Sequence, residues 1–110
     1  MCELSPEAVN ITKKNASLIG ADVTVDCGDF ITPILEKKLK FDVLICNPPY
    51  IPESEMKYTS PEVKFEPETA LLASDDGLEF YKAVIANYTP VLKKGGKLCF
   101  EVGFKQSLAV

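Results

Sequence analysis

Apolar positions along this chain recur with two periods, one close to 3.6 residues and one close to two, and the switches between them predict its elements. Met1-Cys2-Glu3-Leu4 reads as the tail of a strand, and Ser5-Pro6-Glu7 then supplies an N-cap, a first-turn proline and an acid for the helix dipole. Val9, Thr12, Ala16 and Ile19 follow at helical spacing, with Ala8, Ile11 and Leu18 beside them. Lys13, Lys14 and Asn15 fall on the solvated side, and Gly20 ends the helix. From Asp22 to Cys27 the chain is β-branched and alternating, which predicts a short strand. Residues 31–40 predict a loop or a short helix around Pro33. Phe41 to Cys46 is an almost unbroken apolar run, the pattern of a strand buried on both faces of a parallel sheet.

The Tyr50 to Leu72 stretch has no sustained period, and loops of that length in a compact domain are usually functional or disordered. Its Phe65 to Leu72 end is apolar enough to pack back on the body. A second helix is predicted after Asp76-Gly77, with Leu78, Tyr81, Ile85 and Tyr88 on one face and Pro90 near its end. Lys93-Lys94-Gly95-Gly96 marks a turn, Lys97 to Val102 another strand, and Gly103 the start of a further helix. Strand, helix, strand, strand, loop, helix, strand is the order of a doubly wound α/β fold.

Composition narrows the functional classes. With 110 residues the chain is one domain at most, and 46% hydrophobic and 25% charged residues are ordinary for a globular protein. A net charge of -4 argues against holding nucleic acid chiefly through its phosphates. No apolar stretch reaches the ~20 residues of a membrane span, and no signal-peptide pattern opens the chain. Cys2, Cys27, Cys46 and Cys99 are far apart and there is no histidine, so reduced, buried thiols in a cytoplasmic protein are expected and a zinc site is not.

Candidate chemistry sits at strand ends. After Phe41–Cys46 come Asn47, Pro48, Pro49 and Tyr50, where two prolines stop the strand and hold the preceding residues extended. That is where open α/β sheets place their ligands. The Asn47 side-chain oxygen and the Pro48 carbonyl can each accept one N–H of a planar amine or amide, and Tyr50 can wall its face. The alternative is a plain turn after a strand. Glu3 closes the first strand, where a carboxylate can accept both hydroxyls of a ribose, or can serve the helix that follows. Asp29 could accept an adenine amine with Phe30 on the ring, or these could be a turn residue and a core residue. Glu101 reads as a solvent-facing position near the sheet end.

Taken together, these segments resemble the class I S-adenosylmethionine-dependent methyltransferases, and within them the HemK-type release-factor glutamine methyltransferases. The resemblance rests on Glu3-Leu4-Ser5-Pro6-Glu7-Ala8, Gly28-Asp29-Phe30, Asn47-Pro48-Pro49-Tyr50, Phe65-Glu66-Pro67-Glu68-Thr69-Ala70-Leu71 and Gly95 to Gly103, and so covers essentially the whole chain. Asn-Pro-Pro-Tyr is shared with methyltransferases of adenine and other planar amines; the Phe-Glu-Pro segment narrows the choice.

The resemblance implies a Rossmann-like sheet and methyl transfer from S-adenosylmethionine to a glutamine side-chain amide in a peptide chain release factor. Glu3, Asp29, Phe30 and Asn47 would hold the cofactor. Asn47, Pro48, Pro49 and Tyr50 would be catalytic and, with Phe65, Glu66 and Pro67, would hold the substrate. The family's glycine-rich loop, its first strand and its last strands have no counterpart here. Residues 1–110 are therefore expected to be an internal, incomplete part of a catalytic domain, and to be inactive on their own. Phe41 to Cys46 would then have one unpaired edge, through which self-association is possible. Two rival readings remain: methylation of an adenine or another nucleobase amine, and a truncated, non-catalytic α/β fragment.

Overall fold

Two short parallel sheets carry the chemistry-bearing residues, one in each of two compact units, residues 1–40 and residues 41–110. The computed structural model describes residues 1–29 and 31–110.

In the first unit β1 (Cys2–Glu3) pairs in parallel with β2 (Asp26–Cys27), Cys2 opposite Asp26 and Glu3 opposite Cys27. Helix α1 (Pro6–Ile19) joins them. Ser5 caps it, its hydroxyl accepting the Ala8 N–H at 3.2 Å, and Gly20 ends it in the left-handed region at φ 67°. Val9 is buried and Lys13, Lys14 and Asn15 are exposed, as the periodicity requires, whereas Ile11, Leu18 and Ile19 are left exposed. The expected strand from Asp22 shrinks to its last two residues, because β1 offers only two residues to pair with and β-branching alone makes no ladder. Helix α2 (Thr32–Glu36) follows, with Pro33 in its first turn and Ile34 buried. An Asp26–Lys37 ion pair ties it to β2 and holds the Asp26 carboxyl below the usual carboxylate range.

In the second unit β3 (Phe41–Cys46) pairs in parallel with β4 (Leu92–Phe100). Phe41 faces Leu92, then the register jumps so that Val43 to Cys46 face Lys97 to Phe100. The jump is the Lys93–Gly96 turn: Gly95 takes φ 81°, Gly96 lies against the Asp42 carbonyl, and the Lys93 ammonium meets the Asp42 carboxylate at 2.9 Å. β4 thus begins earlier than the expected Lys97. Between β3 and β4 along the chain lie four 3₁₀ turns and helix α3 (Glu79–Asn87), whose Tyr81 and Val84 are buried. The Tyr81 ring stands edge-on to Phe100 at 5.3 Å, so α3 covers the sheet face that carries Phe100. Ile85, expected on the buried face, is partly exposed, and Val84 takes its place.

Two expectations about the fold are corrected. The sheet is not one continuous doubly wound layer; its strands form two pairs. Nor is β3 buried on both faces. Val43 is 49% and Ile45 77% exposed, because α3 lies on the opposite face. The stretch after Gly103 forms successive turns rather than a helix, with Lys105 in the left-handed region. Among the described residues β3 has one strand neighbour, as expected. No helix among the described residues is long and apolar enough to cross a membrane.

Candidate functional site

At the carboxyl end of β3 the Glu101 N–H donates to the Cys46 carbonyl at 3.0 Å, which closes the ladder one step before Asn47. Pro48 is buried, Pro49 and Tyr50 are half-buried, and Asn47 is exposed. Beyond them Ile51 is clamped from both sides: its N–H donates to the Leu71 carbonyl at 2.9 Å and its carbonyl accepts from Ala73 at 3.0 Å. The long loop therefore does pack back, but through Leu71, Leu72 and Ala73. Phe65 stays 91% exposed.

Asn47, Pro48, Tyr50, Glu66 and Glu101 line a hollow of about 260 Å³ together with Ile51, Val63, Ala70 and Leu71. No described residue donates to the Asn47 side chain or the Pro48 carbonyl, so both acceptors are available to an incoming N–H. The Tyr50 hydroxyl donates to Glu101 Oε1 at 3.2 Å. Burial, then that hydrogen bond and the nearby Glu101 and Glu66 charges, raise the phenol above its ordinary value. Burial likewise raises the Cys46 thiol, which leaves it an unreactive neighbour. Convergent polar groups in a hollow beside a perturbed phenol mark a candidate small-ligand site.

Of the residues expected to hold substrate, the structure brings together Asn47, Pro48, Tyr50 and Glu66. Pro49 lies in the same turn without lining the hollow, and Phe65 and Pro67 are exposed beside it. Glu101, read from sequence as solvent-facing, is exposed, and it also lines the hollow and accepts the Tyr50 hydroxyl. Its signal was present, an acid at the exit of the strand adjacent to β3, but alternation alone places such a residue in solvent.

In the first unit, Glu3 and Asp29 follow the carboxyl ends of two parallel strands, so they lie at the same sheet edge. Glu3 Oε1 accepts the Ser5 N–H at 2.9 Å, the helix-entry role foreseen as the alternative, while Oε2 has no bond among the described residues. Asp29 is exposed and its backbone carbonyl accepts the Thr32 N–H at 3.0 Å. Phe30 lies outside the described residues.

A family profile described as Eco57I restriction-modification methylase matches residues 4–103. The chain is 40% identical over 105 residues to a release factor glutamine methyltransferase of Bacillus anthracis, covering 94% of the chain and 37% of that protein. It is 39% identical over 109 residues to the enzymes of the same name in Enterococcus faecalis and Bacillus subtilis, covering 98% of the chain and 39% and 38% of those proteins. The chain thus spans less than two fifths of the length of these relatives.

Proposed function

The chain belongs to the family of the Eco57I restriction-modification methylase and is homologous to the bacterial release factor glutamine methyltransferases, and from that premise we propose that the protein carrying it transfers a methyl group from S-adenosylmethionine to a glutamine side-chain amide of a release factor. The observation that carries this reading is the pair of free acceptors, the Asn47 side chain and the Pro48 carbonyl, at a hollow that Tyr50 also lines. A primary amide offers two N–H groups in one plane, and two fixed acceptors hold that plane and leave the nitrogen π-face turned outward. Tyr50 walls the amide. Its hydroxyl, engaged by Glu101, keeps the ring from rotating out.

An amide nitrogen is a poor nucleophile, since its lone pair is conjugated into the carbonyl. Asn47 and Pro48 act by orientation and by accepting hydrogen bonds that strengthen as positive charge grows on the nitrogen. Proton loss follows methyl transfer, so no strong base is demanded of the protein. When bound, S-adenosylmethionine supplies the electrophilic methyl group. The acceptor chemistry of the first unit fits it: Glu3, with one carboxylate oxygen unengaged, would take the ribose hydroxyls, and Asp29, with Phe30, the adenine. The thiols of Cys2, Cys27, Cys46 and Cys99 are unpaired, which suits a cytoplasmic setting, but Cys27 and Cys99 are exposed rather than buried as expected.

The family profile's description favours a second reading, methylation of a nucleobase amine, for which Asn47 and Pro48 would serve equally well. Charge weighs against it. Glu66 and Glu101 line the hollow and the chain carries a net charge of -4, so a nucleotide's flanking phosphates would meet carboxylates. Labelled cofactor offered to the full protein with release factor and, separately, with DNA decides between them. Incorporation is expected into release-factor glutamine, and comparable or greater incorporation into DNA would overturn the proposal. Asn47→Ala should lower kcat ~10²-fold or more while cofactor affinity changes little, because orientation and a transition-state hydrogen bond are lost together.

A further inference from the structure

Three segments of the second unit converge on one side-chain amide outside the candidate site. Gln106 Nε2 donates to the Tyr50 carbonyl at 3.0 Å and to the Asp76 carbonyl at 3.2 Å. Its Oε1 accepts the Gly103 N–H at 3.0 Å and lies 3.5 Å from the Tyr81 hydroxyl, which donates to the Glu101 carbonyl at 3.0 Å. The Gln106 N–H returns to the Gly103 carbonyl at 3.0 Å, so this short turn closes on itself in the manner of a capping box. Both hydrogens of the amide and its oxygen are thereby used.

Two glycines make room for it. Gly77, at φ 83°, has no Cβ to strike the Tyr50 carbonyl and Gln106 Nε2, and a Cβ on Gly103 would crowd Gln106 Oε1 and the Tyr50 ring. Left-handed Asp75 and Asp76 bring the Asp76 carbonyl to the same point.

We infer that Gln106 is a positioning residue for the Asn47–Tyr50 segment. On the reading of that segment as the amide clamp, its stiffness is what ties Gln106 to the site. Pro48 and Pro49 fix two φ angles, so the segment behaves as a short rod. One end is held where the Cys46 carbonyl accepts from Glu101, and the other where the Tyr50 carbonyl accepts from Gln106. Releasing the second end lets the rod swing and moves Asn47 and Pro48 off their target. A carboxylate of the same shape would release it too, since Gln106→Glu sets an oxygen against two carbonyl oxygens.

The test uses the full protein with 3-fluorotyrosine incorporated, the Tyr50 resonance being identified by its loss in Tyr50→Phe. Gln106→Met and Gln106→Glu are each expected to lower kcat on a glutamine-bearing release factor ~10-fold or more, with cofactor affinity within about 2-fold, because misplacement by about 1 Å can cost that much. The Tyr50 resonance should shift or broaden. In an Asn47→Ala background Gln106→Met should lower kcat no further, since both act on one element. Gly77→Ala, which disturbs the same junction from the other side, should reproduce the effect if either Gln106 variant folds poorly. An unmoved Tyr50 resonance, or a full extra loss in the Asn47→Ala background, overturns the inference. Absence of glutamine methylation by the unaltered protein would overturn the proposed reaction instead, and the Tyr50 resonance would still decide the role of Gln106.

Discussion

Tyr50 is the residue at which local sequence and distant packing meet. Its ring borders the hollow with Asn47, its hydroxyl reaches Glu101 and its carbonyl reaches Gln106. Two prolines before it made the turn legible from sequence, because they act on their own neighbours. Glu101 and Gln106 act across more than fifty positions of chain, and no local pattern encodes that. Burial, and after it the hydrogen bond to Glu101, raise the phenol, and the sign of a pH dependence follows. The protonated form is favoured in the folded state, so the contribution is complete below the ordinary value of 10.0 and is lost as pH rises through the raised value. The stability difference between the unaltered protein and Tyr50→Phe should accordingly be constant from pH 7 to about 9 and drift against the unaltered protein at higher pH. Denaturant midpoints across that range check it, and a pH-independent difference would show that the fold does not favour the protonated phenol.

Among the elements, helices were the more legible, since a cap and an apolar stripe are contained within the segment itself. Ser5, Pro6 and Gly20 marked α1 to the residue, and Ser5 takes up the Ala8 N–H as a cap should. The same serine donates to the Glu7 carboxylate at 3.1 Å while its own N–H is held by Glu3. Ser5→Ala should weaken the first turn by ~1 kcal/mol. Hydrogen exchange at Ala8 is the direct measure, with protection falling several-fold there and unchanged near Gly20; equal protection in both proteins would mean the cap is idle. Strands were less legible, because a strand exists only where a neighbour is paired. Val23, Thr24 and Val25 have every local mark of a strand, yet β1 supplies partners for Asp26 and Cys27 alone. The Leu92 start of β4 was hidden for a related reason. Lys93–Gly96 reads as a turn from its glycines, and only the ladder to Phe41 shows that pairing resumes before it.

At the scale of the molecule, the sequence conveyed the order of elements and the single strand neighbour of β3, but not how little of the sheet these residues make. An apolar run predicts burial on both faces only if something lies on both. Here α3 covers one face, and Val43, Ile45, Lys97 and Cys99 stand exposed on the other in paired register. β3 also has an unpaired edge among the described residues. Open backbone donors and acceptors beside exposed apolar side chains are a template for pairing with another chain. A polypeptide of these 110 residues is therefore expected to self-associate with rising concentration in sedimentation experiments, and a charge on β3 should oppose it. Ile45→Lys is the change of choice. At 77% exposure the lysine costs little in the monomer, while it sets a cation against every apolar neighbour that an associating strand would bring. The expected result is a weight-average mass that stays near the monomer for Ile45→Lys at concentrations where the unaltered chain has risen. An unaltered chain that remains monomeric throughout would mean that twist or solvation already protects this edge.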